Sequence, residues 1–344
     1  MDELLKDLMT ELAWPLLAAV IVFSLAALGK GADWLVDEAV ALSERSGIPK
    51  VIIGATVVSL GTTTPEAVVS VLAALQGVPD LALGNAVGSI ICDTGLILGL
   101  ACLISPLPLD RSVVFRQGWI QFACGFLLVV ACIPWSRVST VFEEGGQLSQ
   151  GMGFLFLLLL IGYLVFSVRW STQQTDDKGL ERVEKAVSSE HASVPFVLLK
   201  LVGAIALVVG ASHFLIPAVS EAATRMGVPE GIIAATLVAF GTSLPELVTA
   251  VTAARQGHGE LAVGNVIGAD ILNVLFVAGA SAAVTSGGLL APGYFFSFYF
   301  PAMLTVLIVF RVGVTLSGDH LKRPFGVVLL ATYVLVTVLS YVQT

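Results

Sequence analysis

Long apolar runs, separated by short breaks rich in polar residues, glycine or proline, dominate the chain. Each run has about 20 residues or more, which is the length that an α-helix needs to cross the hydrocarbon core of a bilayer. The pattern therefore predicts an all-α, polytopic membrane protein with ten transmembrane helices. We expect these helices near residues 14–43, 50–76, 81–106, 113–134, 151–170, 194–224, 229–255, 261–286, 291–312 and 324–342.

One long polar stretch, residues 171–193, lies between the fifth and sixth predicted helices. We interpret it as a linker between two units of five helices each, residues 1–170 and 194–344. The units share sequence, since residues 47–88 align without a gap with residues 227–268 and 22 of the 42 paired positions are identical. Because five is an odd number, the second unit enters the membrane in the opposite orientation. The sequence thus predicts an inverted repeat, which is an architecture of secondary transporters.

The composition supports a membrane protein over other classes. Apolar residues make up 56% of the chain and charged residues 12%, whereas about a quarter of the residues of a soluble domain are charged. Continuous apolar runs disfavour an outer-membrane β-barrel, whose strands alternate apolar and polar residues. A net charge of -8 without a basic stripe argues against nucleic-acid binding. The four cysteines lie in apolar runs and lack the paired short spacing of zinc or redox sites.

The Lys and Arg residues favour one orientation in the membrane. If the N-terminus is outside, the predicted inside segments hold twelve of these residues, and the outside segments hold only Lys6, Arg137 and Arg225. Cytoplasmic loops are enriched in Lys and Arg. We therefore expect both termini outside and the linker at 171–193 in the cytoplasm.

Two glutamates occupy equivalent places inside predicted helices. Glu66 is the only charged residue between positions 51 and 75, and Glu246 is the only one between positions 231 and 254. An acid at the bilayer centre costs roughly 2.5 to 3.5 kcal/mol, so acids at this depth mark functional sites. Their segments read Gly-Thr-Thr-Thr-Pro-Glu and Gly-Thr-Ser-Leu-Pro-Glu. The pair predicts a site that both units build near the middle of the membrane.

The glycine and proline before each glutamate predict a broken helix. A break frees carbonyl oxygens, which is tolerated at membrane depth only where they line a cavity or bind a ligand. The hydroxyl groups of Thr62, Thr63, Thr242 and Ser243 add further oxygens. Carboxylates, hydroxyls and carbonyls together form an oxygen cage, which suits a hard cation such as Ca2+ or Na+.

The following helix of each unit adds a second polar face. Asn85, Ser89 and Asp93 are spaced i, i+4, i+8 and share one side of a helix. The equivalent residues of the second unit are Asn265, Ala269 and Asn273, with the additional acid Asp270 about a quarter turn away. We predict that Asp93 belongs to the site. The sequence leaves open whether Asp270 faces the site or a neighbouring helix.

These segments resemble the two alpha repeats of the cation/Ca2+ exchanger superfamily, specifically of its prokaryotic sodium/calcium exchanger branch. GTTTPE and GTSLPE are similar to the G-T-S-x-P-E core of that family, and GNAVGSIICD and GNVIGADILN to its G-N-x-x-G-S segments. The resemblance implies ten helices in two inverted halves in a prokaryotic cytoplasmic (inner) membrane, with the first and sixth helices sliding past an ion-binding core. It implies that Glu66 and Glu246 bind Ca2+. The resemblance also implies that the remaining ligands of the Ca2+ and Na+ sites are Thr62, Thr63, Thr242, Ser243, Ser89, Asp93, Asn273 and the carbonyls near Ser59 and Ala239.

Four positions depart from the family pattern. The family pairs Asn in the first repeat with Asp in the second, whereas this chain has Asp93 and Asn273. Thr63 stands where Ser is usual, and Ala269 removes a hydroxyl expected to serve Na+.

The predicted function is therefore an antiporter that exports Ca2+ in exchange for Na+, and a proton-coupled exchanger of Ca2+ or another cation is the alternative. An enzyme is disfavoured, because an intramembrane aspartyl protease built on Asp93 and Asp270 needs a Gly-x-Gly-Asp segment that is missing here. We expect no cofactor and no obligate protein partner, and the lipid bilayer is the expected surroundings.

Overall fold

The computed structural model describes residues 2–77, 79–173, 194–227 and 241–343, and most of them are helical. The first half contains α1 (Asp2–Glu11), α2 (Trp14–Ser46), α3 (Lys50–Thr62, with a π-helical segment at Gly54–Val58), α4 (Thr64–Leu75), α5 (Pro79–Ile91, continued by a π-helical segment Cys92–Ile97 and by Leu98–Ile104), α6 (Arg111–Cys132), α7 (Val141–Glu144) and α8 (Gln150–Gln173). The second half contains α9 (Val194–Arg225), α10 (Leu244–Arg255), α11 (Gly259–Leu272, continued by a π-helical segment Asn273–Ala278 and by Gly279–Val284), α12 (π-helical Phe295–Tyr299, then Phe300–Ser317) and α13 (Arg323–Gln343).

The described helices confirm a multi-pass membrane protein. Eight of them are long and apolar enough to cross a bilayer, namely α2, α5, α6, α8, α9, α11, α12 and α13. The bent pair of α3 and α4 passes the same test as one broken span. The predicted helix at 229–255 lies partly outside the described residues, and α10 is its described part. The predicted linker also lies outside them from residue 174 onwards, and α8 ends at Gln173.

Helices α2 and α9 pack side by side along much of their length. Both bury one stripe of residues and expose the other, as expected of helices that lie on the outside of a bundle. Gly31 makes the contact close, because a Cβ at this position would lie 3.0 Å from the side chain of Val208. Lys200 forms an ion pair with Glu38 across the same contact at 3.0 Å.

Helix α11 lies at the centre of the bundle and is buried on all sides. It contacts α3 through backbone atoms, because glycines face each other at the crossing. A Cβ on Gly54 would lie 2.6 Å from the carbonyl oxygen of Leu261. A Cβ on Gly268 would lie 2.5 Å from both the Cα and the carbonyl oxygen of Ala55. The small-residue contact fixes the depth of α11 relative to the helix break that follows α3.

Two short antiparallel strand pairs connect the halves. Strand β1 (Leu107–Pro108) pairs with β4 (His320–Leu321), and β2 (Gly146–Leu148) pairs with β3 (Leu289–Ala291). In the register of these pairs, Leu107 lies opposite Leu321 and Gln147 lies opposite Leu290. Each pair therefore joins a strand of the first half to a strand of the second.

Glycine contacts also join the halves in an equivalent way. A Cβ on Gly99 of α5 would lie 3.1 Å from the carbonyl oxygen of Gly326 in α13. A Cβ on Gly153 of α8 would lie 2.8 Å from the carbonyl oxygen of Gly279 in α11. The last helix of each half thus crosses the central helix of the other half at a pair of glycines.

Helix α1 was not expected from the sequence. Its residues Leu5 and Met9 are buried against Leu17 of α2 and Ala218 of α9. Arg225 closes its C-terminal end, because the guanidinium donates hydrogen bonds to carbonyl oxygens of the last turn at 2.7 to 3.0 Å. Helix α1 is therefore docked on the end of α9.

Candidate functional site

A break in the helix places the first predicted glutamate. Helix α3 ends at Thr62, α4 begins at Thr64, and the two segments meet at 44°. Pro65 in the first turn of α4 has no N–H to donate to the carbonyl group four residues earlier, so the helix cannot continue unchanged. In the second half, Ser243 precedes α10, and proline again occupies the first turn. The predicted break is confirmed in the first half, whereas most of the segment that precedes α10 in the second half lies outside the described residues.

Both glutamates lie in the first turn after the break, with side chains that are 1% exposed. Neither carboxylate oxygen of Glu66 has a hydrogen-bond partner among the described residues. In Glu246, Oε1 accepts a hydrogen bond from the hydroxyl of Thr63 at 3.1 Å, and Oε2 has no described partner. Buried acidic oxygens are usually paired, because an unpaired one loses the hydrogen bonds that it makes in water. Three such oxygens therefore indicate a place for a cation or protons.

Three hydrogen bonds of the site each join the two halves. Thr63 donates to Glu246, as described above. Thr242 donates to the amide oxygen of Asn85 at 3.5 Å, and Asn273 donates to Oδ2 of Asp93 at 3.4 Å. The candidate site therefore lies between the units that the sequence repeat defines.

The second polar face also lies at this contact. Asp93 and Asn273 are both 1% exposed, and each retains a side-chain oxygen without a described partner. They occur at equivalent places, because a π-helical segment begins beside Asp93 in α5 and at Asn273 in α11. Such segments widen a helix locally and are frequent at functional sites. No pattern in the sequence predicted these segments.

Asp270 is hydrogen-bonded to side chains of the neighbouring helices α5 and α6. Its Oδ2 accepts hydrogen bonds from the hydroxyl of Thr94 and from Nε2 of Gln121, the latter at 2.5 Å. Gln121 of α6 was missed in the sequence, where the signal was a pair of glutamines four residues apart in an apolar helix.

The remaining predicted residues have different surroundings. Thr62 lies beside Glu246, and Ser243 lies beside Asp93. The carbonyl of Ser59 accepts a helical hydrogen bond from the backbone N–H of Thr63 at 2.8 Å and a longer one from the hydroxyl of Thr62 at 3.4 Å. Ser89 is buried, and Ala239 lies outside the described residues.

The oxygens of this cluster suit a hard cation. Among the described residues, no three His, Cys, Asp or Glu side chains are close enough to hold a metal ion by themselves. A cation at this place would therefore take part of its coordination from hydroxyl, amide and carbonyl oxygens, as Ca2+ sites commonly do. No basic side chain is paired with the acids in the described part of the chain.

A cavity of about 220 Å³ reaches the helix breaks from the end of α9 that contacts α1. Leu5 and His213 line it on one side, and Pro65, Thr242 and Pro245 line it on the other.

A multi-pass helical bundle with acidic, oxygen-rich helix breaks at its centre defines a membrane transporter for cations. Residues 16–169 and 196–342 match the family described as sodium/calcium exchanger protein. The chain belongs to this family.

Two relatives match over nearly the whole chain. The inner membrane protein YrbG of Escherichia coli is 33% identical over 328 residues, which cover 95% of this chain and 97% of that protein. The sodium/calcium exchanger MaX1 of Methanosarcina acetivorans is 29% identical over 353 residues, covering 94% of this chain and 98% of that protein.

The fold is similar to that of a solved exchanger. A structure of the sodium-calcium exchanger NCX_Mj soaked with 10 mM Na+ and zero Ca2+ superposes with a TM-score of 0.74 at 26% identity. The superposition covers 93% of this chain and 97% of that chain. The resemblance that the sequence motifs indicated is confirmed.

Proposed function

We propose that this protein exports Ca2+ in exchange for Na+ through one oxygen-lined site that opens alternately to the two sides of the membrane. The observation that carries the proposal is the pair of buried glutamates at equivalent helix breaks, with three carboxylate oxygens free of described partners. Membership of the sodium/calcium exchanger family and the name of the relative MaX1 support the choice of ions.

Glu66 and Glu246 form the centre of the proposed Ca2+ site. The Ca2+ and Na+ ligands around them are Thr62, Thr63, Thr242, Ser243, Ser89, Asp93, Asn273 and the carbonyls near Ser59 and Ala239, with Asp270 at the edge. Carboxylates that face each other in a low dielectric repel unless cations or protons neutralise them. An empty, fully ionised site would therefore reorient slowly, and this makes transport an exchange.

The proposed architecture has ten transmembrane helices in two inverted units, residues 1–170 and 194–344, joined by a linker at 171–193. The two strand pairs and the two glycine crossings support it, since the second contact of each kind joins the same elements as the first with the two halves exchanged. The chain lies in a prokaryotic inner membrane with both termini outside and the linker cytoplasmic. The distribution of Lys and Arg supports this orientation, and the relative YrbG is itself named an inner membrane protein.

A proton-coupled exchanger is the second candidate. Two observations favour it: Ala269 lacks the hydroxyl expected to serve Na+, and Asp270 adds a buried acid to the cluster. A buried carboxylate binds a proton more readily than an exposed one, and it can exchange that proton for a metal ion.

The test is Ca2+ uptake by proteoliposomes that are loaded with Na+, compared with vesicles that carry only a proton gradient. We expect uptake driven by outward Na+, and we expect Glu66→Gln and Glu246→Gln to abolish it. Glu144→Gln is the matched control, because Glu144 is an exposed acid at the end of α7. Uptake driven only by the proton gradient would favour the second candidate, a proton-coupled exchanger, over exchange with Na+. A Glu66→Gln protein with normal uptake would contradict the proposed site. If no Ca2+ moves under either gradient, the proposal that Ca2+ is the substrate is wrong.

A further inference from the structure

One tyrosine hydroxyl reaches the backbone of α3 just before the first helix break. Tyr163 of α8 is buried, and its hydroxyl donates a hydrogen bond to the carbonyl oxygen of Ala55 at 3.2 Å. Ala55 lies in the π-helical segment Gly54–Val58, one turn before Ser59. The tyrosine thus contacts the part of α3 from which the residues of the break continue.

The π-helical segment explains why this carbonyl needs a partner. In an α-helix, the N–H of Ser59 would donate to the carbonyl of Ala55, four residues earlier. Here that N–H donates to the carbonyls of Gly54 and Thr56 instead. The carbonyl of Ala55 is also closely packed, because a Cβ on Gly268 of α11 would lie 2.5 Å from its oxygen. The tyrosine therefore supplies a donor that the widened turn does not.

A chain of hydrogen bonds holds Tyr163 in place. A carbonyl oxygen can only accept, so the single proton of the tyrosine hydroxyl points to Ala55. Ser167, one turn later in α8, is buried within hydrogen-bonding reach of the same hydroxyl, so the proton between them is that of the serine. Ser167 in turn accepts a hydrogen bond from Nε2 of Gln117 of α6 at 3.3 Å. Every donor points the same way, from α6 through α8 to α3, and the bonds of such a chain strengthen one another.

Tyr163 has no tyrosine counterpart in the second half. It lies ten residues after Gly153, the glycine at which α8 crosses α11. The residue ten places after the equivalent Gly326 of α13 is Val336, which has no hydroxyl group. The packing that the repeat imposes on both halves therefore does not account for the tyrosine contact.

We propose that Tyr163 is a positioning residue, which holds the π-helical turn of α3 so that Thr62 and Thr63 face the cation site. The proposal rests on the proposed function for the identity of the cation. If the turn relaxed to an α-helix, the residues after it would shift by one position, which is a rotation of about 100° and a translation of about 1.5 Å. Thr63 would then lose its hydrogen bond to Glu246.

The experiment separates the affinity of the site from the amount of active protein. Ca2+ uptake by proteoliposomes that contain the full-length protein and are loaded with Na+ is measured against Ca2+ concentration, which gives a KM and a maximal rate. Tyr163→Phe removes only the hydroxyl group. Tyr299→Phe is the matched control, because it removes the same group from α12, where the ring of Tyr299 packs on Phe295 at 5.4 Å.

We expect the KM for Ca2+ to rise about tenfold in Tyr163→Phe at an unchanged maximal rate, as for the loss of one buried hydrogen bond that holds the ligands in place. Tyr299→Phe should retain the KM of the parent. A Tyr163→Phe protein with a lower maximal rate at the KM of the parent would overturn the proposal, because a purely structural role changes the amount of active protein and not its affinity.

A double-mutant cycle tests whether the tyrosine acts through Thr63. If it does, Thr63→Val should raise the KM of the Tyr163→Phe protein much less than it raises the KM of the parent. Equal factors in the two proteins would overturn this route. Ser167→Ala removes the donor to the tyrosine hydroxyl and should raise the KM by a smaller factor. If Tyr163→Phe does not fold, Ser167→Ala decides, and a KM equal to that of the parent overturns the proposal.

Hydrogen exchange separates this proposal from the proposed function. Exchange of the backbone amides of residues 54–63 is followed by mass spectrometry in the purified protein without Ca2+. We expect faster exchange in Tyr163→Phe than in the parent or in Tyr299→Phe. If the parent takes up no Ca2+, the proposed substrate is wrong and hydrogen exchange alone decides the role of the tyrosine. Equal rates in the parent and Tyr163→Phe would overturn that role.

Discussion

The glycine contact between α3 and α11 predicts a large effect for one methyl group. In Gly268→Ala the new Cβ would lie 2.5 Å from the Cα and carbonyl oxygen of Ala55 and from Oγ of Ser59. Ordinary contacts of a Cβ begin at 3.4 Å, so the two helices must separate by about 0.9 Å. Two of these atoms belong to backbone and cannot move away by a side-chain rotation.

Overpacking of this kind costs about 1 to 3 kcal/mol, and a backbone clash belongs in the upper half of that range. At an unfolding entropy of about 2.1 cal/mol/K per residue, a loss of about 2 kcal/mol corresponds to a fall in Tm of roughly 3 °C for a chain of 344 residues. The assay is thermal unfolding of the purified protein in detergent, followed by its tryptophan fluorescence.

Gly162→Ala is the control for this prediction. Gly162 is exposed in the middle of α8, and no described atom lies within 4 Å of its added Cβ. Since Ala has the higher helix propensity, this variant should unfold at the Tm of the parent or slightly above it. A Gly268→Ala protein with the same Tm as Gly162→Ala would refute the reasoning, because α3 and α11 would then not need backbone contact.

Three further predictions concern contacts at the helix ends and between α2 and α9. In Arg225→Gln, α1 loses the donors at its C-terminal end, so trypsin should cleave after Lys6 faster than in the parent or in Arg137→Gln; equal rates would contradict the docking of α1. Glu38→Gln removes an ion pair with the partly exposed Lys200 and should cost at most about 1 kcal/mol, with a Tm difference that shrinks in high salt; a salt-independent loss would argue against it. Burial and the neighbouring Lys50 lower the pKa of His258, whose ring accepts a hydrogen bond from that lysine. The unfolded chain then binds more protons than the folded chain below about pH 6.5, so Tm should decrease as the pH is lowered through this range. His258→Gln should flatten the plot of Tm against pH; an unchanged plot would exclude His258 as the cause of the decrease.

The sequence predicted most of the transmembrane helices, because lipid imposes a simple rule. A spanning helix must be apolar over about 20 residues, so its limits follow from local composition. The two helix breaks were predictable for a similar reason, since a proline disrupts the helix next to it. Both glutamates were found because a charge at that depth stands out from its neighbours.

Features that depend on distant contacts were not predictable in the same way. The partners of Asp270 come from α5 and α6, and nothing in the local sequence of α11 indicates them. The π-helical segments at Asp93 and Asn273 also have no signal in the local sequence. Helix α1 is different, because Leu5, Met9 and Leu12 follow a helical spacing that was available in the sequence.

The glycine crossing of α5 and α13 also has a consequence for biogenesis. Gly99 belongs to a helix that the ribosome makes early, and Gly326 belongs to the helix that it makes last. Chains are synthesised from the N-terminus, and contacts between distant residues form slowly. The glycine face of α5 therefore lies in the membrane without its contact to α13 until translation is nearly complete. A nascent chain that stops before α13 would leave its first half immature as well as its second, and such a chain is a natural target for membrane quality control.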